Sequence, residues 1–163
     1  RASVEHFVRT HSYAALPPDM PEELTEGRAG AFVSIKKYGK LRGCIGTFLP
    51  AQQSLAEEIL YNAVSAAAHD SRFEPIAVEE LDRLVYSVDV LSTPEPITSA
   101  EELDPHVYGV IVKSVADRRR GLLLPDLAGI DTAEQQIAIA REKAHIMPKE
   151  PISLARFTVV RHH

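Results

Sequence analysis

The segment Leu41-Arg42-Gly43-Cys44-Ile45-Gly46 holds the residues of this chain whose types and spacing could do chemistry. Two glycines in a strand-like run weaken it and usually mark a bulge, or a place where another group approaches the backbone. In a regular strand Leu41, Gly43 and Ile45 share the core face. Arg42 and Cys44 then point together to the other side, with Cα atoms roughly 6.5 to 7 Å apart. A guanidinium beside a thiol favours the thiolate, so Cys44 could act as a nucleophile or bind an anion jointly with Arg42. Packing is the competing reading, because an unpaired cysteine is often only a small buried hydrophobe. A ligand contact without bond making is the third.

No sequence pattern attaches a general base to Cys44. His69 is the best candidate, at the end of the helix expected after this segment, where the helix dipole favours a cation; capping that helix is its alternative role. Asp70-Ser71-Arg72-Phe73 could set a carboxylate, a hydroxyl and a guanidinium around a polar ligand. It could equally form a turn in which Asp70 binds backbone amides and Arg72 covers helix-end carbonyls. The candidate set is thus Cys44 for catalysis, with Arg42, Gly43, Gly46, His69, Asp70 and Arg72 for binding an anionic substrate. Metal-ligand spacing, phosphate loops and dinucleotide fingerprints are missing from the sequence, so no cofactor is expected.

These residues must be positioned by elements whose patterns are readable. From Ala31 to Leu49 the period is two, with Val33 and Ile35 on one face and a Tyr38-Gly39-Lys40 turn, which predicts a β-hairpin. Ser54-Leu55-Ala56-Glu57 has capping-box form and predicts a helix to about Ala68, with Leu55, Ile59, Ala63 and Ala66 inward. Residues 1–29 read as a helix end carrying Val4, Phe7, Val8 and His11, then an extended proline-containing connector. Later strands are expected near Tyr86–Val90, Tyr108–Val115, Gly121–Pro125 and Phe157–Val160, with a turn at Asp117–Arg120. A second capping box, Thr132 to Gln135, opens a helix that buries Ile137, Ala140 and Ala144. Hairpins with only two longer helices favour an α+β fold with antiparallel sheets over a doubly wound parallel one. No repeat of fixed period is visible.

The 163 residues, 45% hydrophobic and 25% charged, suit one ordinary soluble domain spanning 1–163. A net charge of −5 argues against a sequence-independent polyanion binder. Basic clusters at Lys36-Lys37-Lys40-Arg42 and Arg118-Arg119-Arg120 keep nucleic-acid binding as a minor alternative. The single cysteine allows no intrachain disulfide, which makes a reducing, cytoplasmic setting the simplest expectation. No stretch approaches a membrane span. His162 and His163 resemble the residue of a purification tag and are left out of every site.

Several segments in order resemble the AMMECR-domain family, whose microbial members are called AmmeMemoRadiSam system protein A. They are Gly30–Ile35 leading into Leu41–Gly46, Asn62–Ala68 before Asp70–Phe73, and Ser87–Leu91 before Pro94–Pro96. Tyr108–Val110 and Arg120–Leu127 follow. Two positions depart from the family pattern, which usually has proline at Ser71 and glycine at His145. The resemblance implies two subdomains with antiparallel sheets, flanking helices and a cleft near the Leu41–Gly46 segment. It also implies association with a Memo-like protein and a radical S-adenosylmethionine enzyme, and hence a modification pathway. A non-catalytic adaptor docking on such partners is the alternative.

Overall fold

A computed structural model describes residues 1–163, which divide into two units, Arg1–Leu91 with Val160–His163, and Ser92–Val159. In the first unit, alternation along β1 (Ala31–Lys37) buries Ala31, Val33 and Ile35. Tyr38 and Gly39 both have positive φ (52° and 77°), the signature of a two-residue hairpin turn whose twist matches the flanking strands. The chain returns as β2 (Lys40–Gly46), and β3 (Leu84–Leu91) pairs antiparallel with the other side of β1. With β8 (Val159–His162) the sheet order is β2-β1-β3-β8, so β2 is an edge.

Helix α3 (Leu55–Ala68) covers the Val33–Ile35 face, and α1 (Ala2–Thr10) adds Val4 and Val8 to the same core. The expected box at the start of α3 forms by half. Ser54 Oγ accepts the Glu57 N–H at 3.3 Å, but the Glu57 carboxylate takes the Gln53 N–H. The proline connector also holds one helical turn, α2 (Glu22–Thr25), with Pro21 at its N-cap position, where the sequence predicts an extended path. No helix is long and apolar enough to cross a membrane.

The second unit contains β4 (Glu95–Ile97), β5 (Gly109–Ser114), β6 (Arg120–Leu123) and β7 (Ile152–Phe157), in the order β4-β7-β5-β6. Pro96, which lacks an N–H, sits on the edge strand β4. Helix α4 (Ala133–Lys143) opens with the predicted reciprocal box between Thr132 and Gln135. Its Ala140 and Ala144 join Val110, Val112, Leu123 and Ile146 in the core. The single strand expected at Phe157–Val160 is two strands, β7 and β8, that belong to different sheets.

Helix α4 ends in a Schellman motif. Ile146 N–H donates to Arg141 O and His145 N–H to Glu142 O, both at 2.9 Å, with His145 at φ 53°. Glycine adopts that conformation without a Cβ penalty, and a histidine pays for it. His145→Gly should therefore raise stability by about 0.5–1 kcal/mol, seen as a Tm increase of roughly 1–4 °C. An unchanged or lowered Tm would show that the His145 side chain compensates.

The two sheets are built by the same moves. A hairpin (β1–β2, β5–β6) is followed by a helix (α3, α4) and a strand (β3, β7) that pairs with the hairpin's first strand. In each, a glycine of the hairpin's second strand lies against a helix carbonyl. A Cβ on Gly43 would stand 2.0 Å from Ala66 O, and one on Gly121 1.9 Å from Ala140 O. Four residues before each of those alanines, a buried amide reaches the carbonyl near the start of the hairpin's first strand. Asn62 Nδ2 donates to Ala31 O at 3.0 Å, and Gln136 Nε2 to Tyr108 O at 2.8 Å. The fourth strand of each sheet, β8 or β4, follows the other sheet's third strand in the chain.

Candidate functional site

Pairing between β1 and β2 runs Ser34 with Cys44 and Ile35 with Gly43, then jumps to Lys36 with Leu41. Arg42 is the extra residue of a bulge, and a bulge breaks the alternation of faces. Its guanidinium binds Glu80 through Nε (3.1 Å) and Nη2 (2.8 Å), and the carbonyls of Glu74 (2.7 Å) and Pro75 (3.3 Å). Lys37, which continues the Val33–Ile35 side of β1, shares Glu80 at 2.7 Å. Arg42 therefore lies on the helix side of the sheet. Cys44 pairs with Ser34 on the opposite side, so the expectation that Arg42 and Cys44 share one face fails. Leu41, expected in the core, is 42% exposed. Arg42 hydrogen bonds, followed by those of Lys37 and the Ala77 N–H, hold Glu80 at about 2, against the opposing pull of burial.

Asp70 and Arg72 close the free edge of β2 at Cys44. The Asp70 carboxylate accepts the Cys44 N–H at 2.9 Å, and Arg72 Nη2 donates to the Cys44 carbonyl at 3.0 Å. Arg72 also binds Asp70 through Nε (2.9 Å), Nη2 (2.7 Å) and its own N–H (3.2 Å). Side chains thus make the two hydrogen bonds that a neighbouring strand would supply, and the edge is blunted. The Arg72 guanidinium, and behind it the two N–H groups, keep the buried Asp70 well below the usual carboxylate range although desolvation opposes them. The turn itself is closed by Phe73 N–H to Asp70 O at 3.0 Å.

The Cys44 sulfur is half-buried and accepts a hydrogen bond from Ser34 Oγ at 3.2 Å. Ser34 in turn lies opposite Ser87 on β3, which makes Cys44-Ser34-Ser87 one cross-strand row. The next row is Gly46-Phe32-Asp89, with Asp89 buried and bound by Arg161 at 2.7 and 3.0 Å. The groups approaching the two glycines belong to the protein itself: the Ala66 carbonyl at Gly43, and at Gly46 the Phe32 ring, 2.3 Å from where a Cβ would stand.

His69 is exposed, ends α3 through its N–H to Ser65 O at 2.8 Å, and sets its ring edge-on to Phe7. No hydrogen bond joins it to Cys44. The structure therefore brings Asp70, Arg72 and Cys44 together through the Cys44 backbone, and leaves Arg42 and His69 elsewhere. No group of three or more His, Cys, Asp or Glu side chains is arranged to hold a metal ion.

Two carboxylates that organise this region escaped sequence reasoning. Glu80, which engages Arg42, carries no signal beyond its place in an acidic stretch. Glu58 is 1% exposed and accepts from the Ala51 N–H (2.7 Å), the Gln52 N–H (2.8 Å) and the Thr47 hydroxyl, tying down the loop after β2. Its signal was available. Glu58 and Asn62 fall at helical spacing inside the buried stripe of α3, where polar side chains must find internal partners.

Residues 1–162 match the family model AMMECR1. A Thermotoga maritima protein is 50% identical over 161 residues, spanning 98% of this chain and 91% of its own. A Clostridium acetobutylicum protein is 45% identical over 163 residues, and there the chain spans only 34% of the relative's length. The crystal structure of the uncharacterized protein PH0010 from Pyrococcus horikoshii superposes with a TM-score of 0.87 at 32% identity, covering 98% of this chain and 85% of that one. With its α+β fold of two four-stranded sheets, this chain belongs to the AMMECR1 family.

Proposed function

We propose that this domain is a non-catalytic docking module whose β1–β2 hairpin tip binds an acidic segment of a partner protein. The observation that carries the reading is Tyr38. It occupies a turn position with positive φ that glycine or asparagine fills at lower cost, and it is 70% exposed. Beside it, Leu41 and Val85 are 42% and 60% exposed and flank Lys36 in one cross-strand row. Lys36 and Lys40 are exposed, which gives the apolar patch a cationic rim. Exposed aromatic residues with apolar neighbours and a charged rim are typical anchors of protein interfaces.

A small anionic substrate held by Arg42 and Arg72 has less support, because both guanidiniums are engaged by internal carboxylates and carbonyls. Cys44 has a neutral hydroxyl, not a base, as its side-chain partner. The Memo-like protein and the radical S-adenosylmethionine enzyme suggested by the family resemblance are the partners to test, and binding to either would support a role in a modification pathway.

Tyr38→Asn separates binding from folding, since asparagine suits the turn better. It should raise Tm slightly and weaken binding of the cognate purified partner at least tenfold by calorimetry, while Cys44→Ser binds like the parent chain. Equal affinity for Tyr38→Asn, or loss on Cys44→Ser alone, would refute docking at the hairpin. Failure of both proteins to bind the parent chain at about 100 μM, a Kd that still corresponds to about 5.5 kcal/mol, would exclude these partners.

A further inference from the structure

In the second unit, Lys113, Ser114, Asp117, Arg118, Arg119, Arg120 and Ser153 line a cavity of about 510 Å³ at the end of the β5–β6 hairpin. Four cations face one carboxylate there. Asp117 is already committed to Arg119, at 2.7 Å, and Glu150 binds the same guanidinium. Lys113 and Arg118 are exposed and take part in no ion pair. Lys113 stands directly opposite Arg120 on β6 and opposite Ser153 on β7. Like charges placed directly across a strand pair repel, and on the other side of Lys113 the third strand offers a hydroxyl in place of a carboxylate.

The architecture does not demand this arrangement. At the corresponding place in the first unit the row is Leu41-Lys36-Val85, and the arginine that precedes the glycine, Arg42, turns to the other face, where Glu80 pairs with it. Concentrated positive charge around a small polar cavity, with the Ser153 hydroxyl in its lining, matches a compact multivalent anion. The volume lies in the range of small-molecule sites. A nucleic acid would need an extended basic track, and the net charge of −5 disfavours one.

We infer that this cavity binds the phosphate groups of a small phosphorylated molecule, with Lys113 and Arg118 as its principal charge partners. Titration of the intact chain with inorganic pyrophosphate, followed by backbone amide NMR, should shift residues 113–120 and 153 in a saturable way. Inorganic phosphate should do the same more weakly. The double variant Lys113→Gln/Arg118→Gln changes two exposed side chains, so its Tm should stay within a degree or two of the parent. It should bind pyrophosphate at least tenfold more weakly.

Three results would overturn the inference. One is the absence of saturable shifts up to about 10 mM pyrophosphate. A second is unchanged affinity in the folded double variant. The third is a single-stranded RNA 12-mer that binds more tightly than pyrophosphate, with a salt slope of about four or more phosphates and shifts reaching beyond the cavity. That outcome would replace a small-molecule site by a nucleic-acid surface.

Discussion

Replacing Gly43 by alanine should cost about 3 kcal/mol or more. A Cβ there would meet the Ala66 carbonyl oxygen at 2.0 Å and its carbon at 3.0 Å. Both are backbone atoms of a helix whose neighbours Ala63, Ala66 and Ala67 are buried, so relief requires α3 to move off the sheet. Overpacking a close-packed core costs typically 1–3 kcal/mol and more when backbone must shift. Gly121→Ala should behave alike in the second unit, where the Ala140 carbonyl oxygen stands 1.9 Å away. Urea unfolding of both variants measures this, and a loss below about 1 kcal/mol in either would show that the helix yields easily.

Asp70→Ala should be the second costly change, at about 2–3 kcal/mol at neutral pH. It leaves the Cys44 and Arg72 N–H groups without their acceptor and opens the edge of β2. Unmade hydrogen bonds to buried groups cost about 1–3 kcal/mol. The Arg72 side chain is 55% exposed and can rehydrate, so the ion pair itself adds little.

The pH dependence follows from the sign of the shift. Asp70 lies well below its ordinary 3.8 in the folded chain, and Glu80 at about 2 against 4.5. The unfolded chain therefore binds these protons first, and the stability each carboxylate provides is fully present above its ordinary value. It declines as pH falls from there through the folded value. The gap in stability between the parent chain and Asp70→Ala should thus narrow below about pH 4. Glu80→Gln should narrow its own gap between 4.5 and about 2. A gap that stays constant from pH 6 to pH 3 would mean that Asp70 acts by shape, without its charge.

Periodicity and capping make most elements legible in the sequence. The hairpin, both long helices and the Thr132–Gln135 box follow from local spacing, because a strand or helix exposes its pattern within a few residues. The motif segments likewise suffice for the family. Asp70–Phe73 reads in the sequence as either a turn or a ligand site, and the structure gives the turn a partner that the sequence does not name, the free edge at Cys44.

Local pattern could not decide the face of Arg42. One inserted residue moves a side chain to the other side of the sheet, and the bulge arises from pairing with β1, which spacing within β2 does not encode. Nor could the sequence display the correspondence of the two units, since it resides in hairpin, helix and strand order and in the two glycine–alanine contacts, with no fixed residue period.

The residues thus determined the elements, the family and the glycines as points of close approach. Only the tertiary structure decided what approaches: a helix carbonyl at Gly43 and a phenylalanine ring at Gly46. It also decided that Arg42 serves Glu80 and that Asp70 and Arg72 serve the backbone of Cys44. Such partners lie far apart in the chain, and their pairing depends on how sheet and helix pack, which no local spacing encodes.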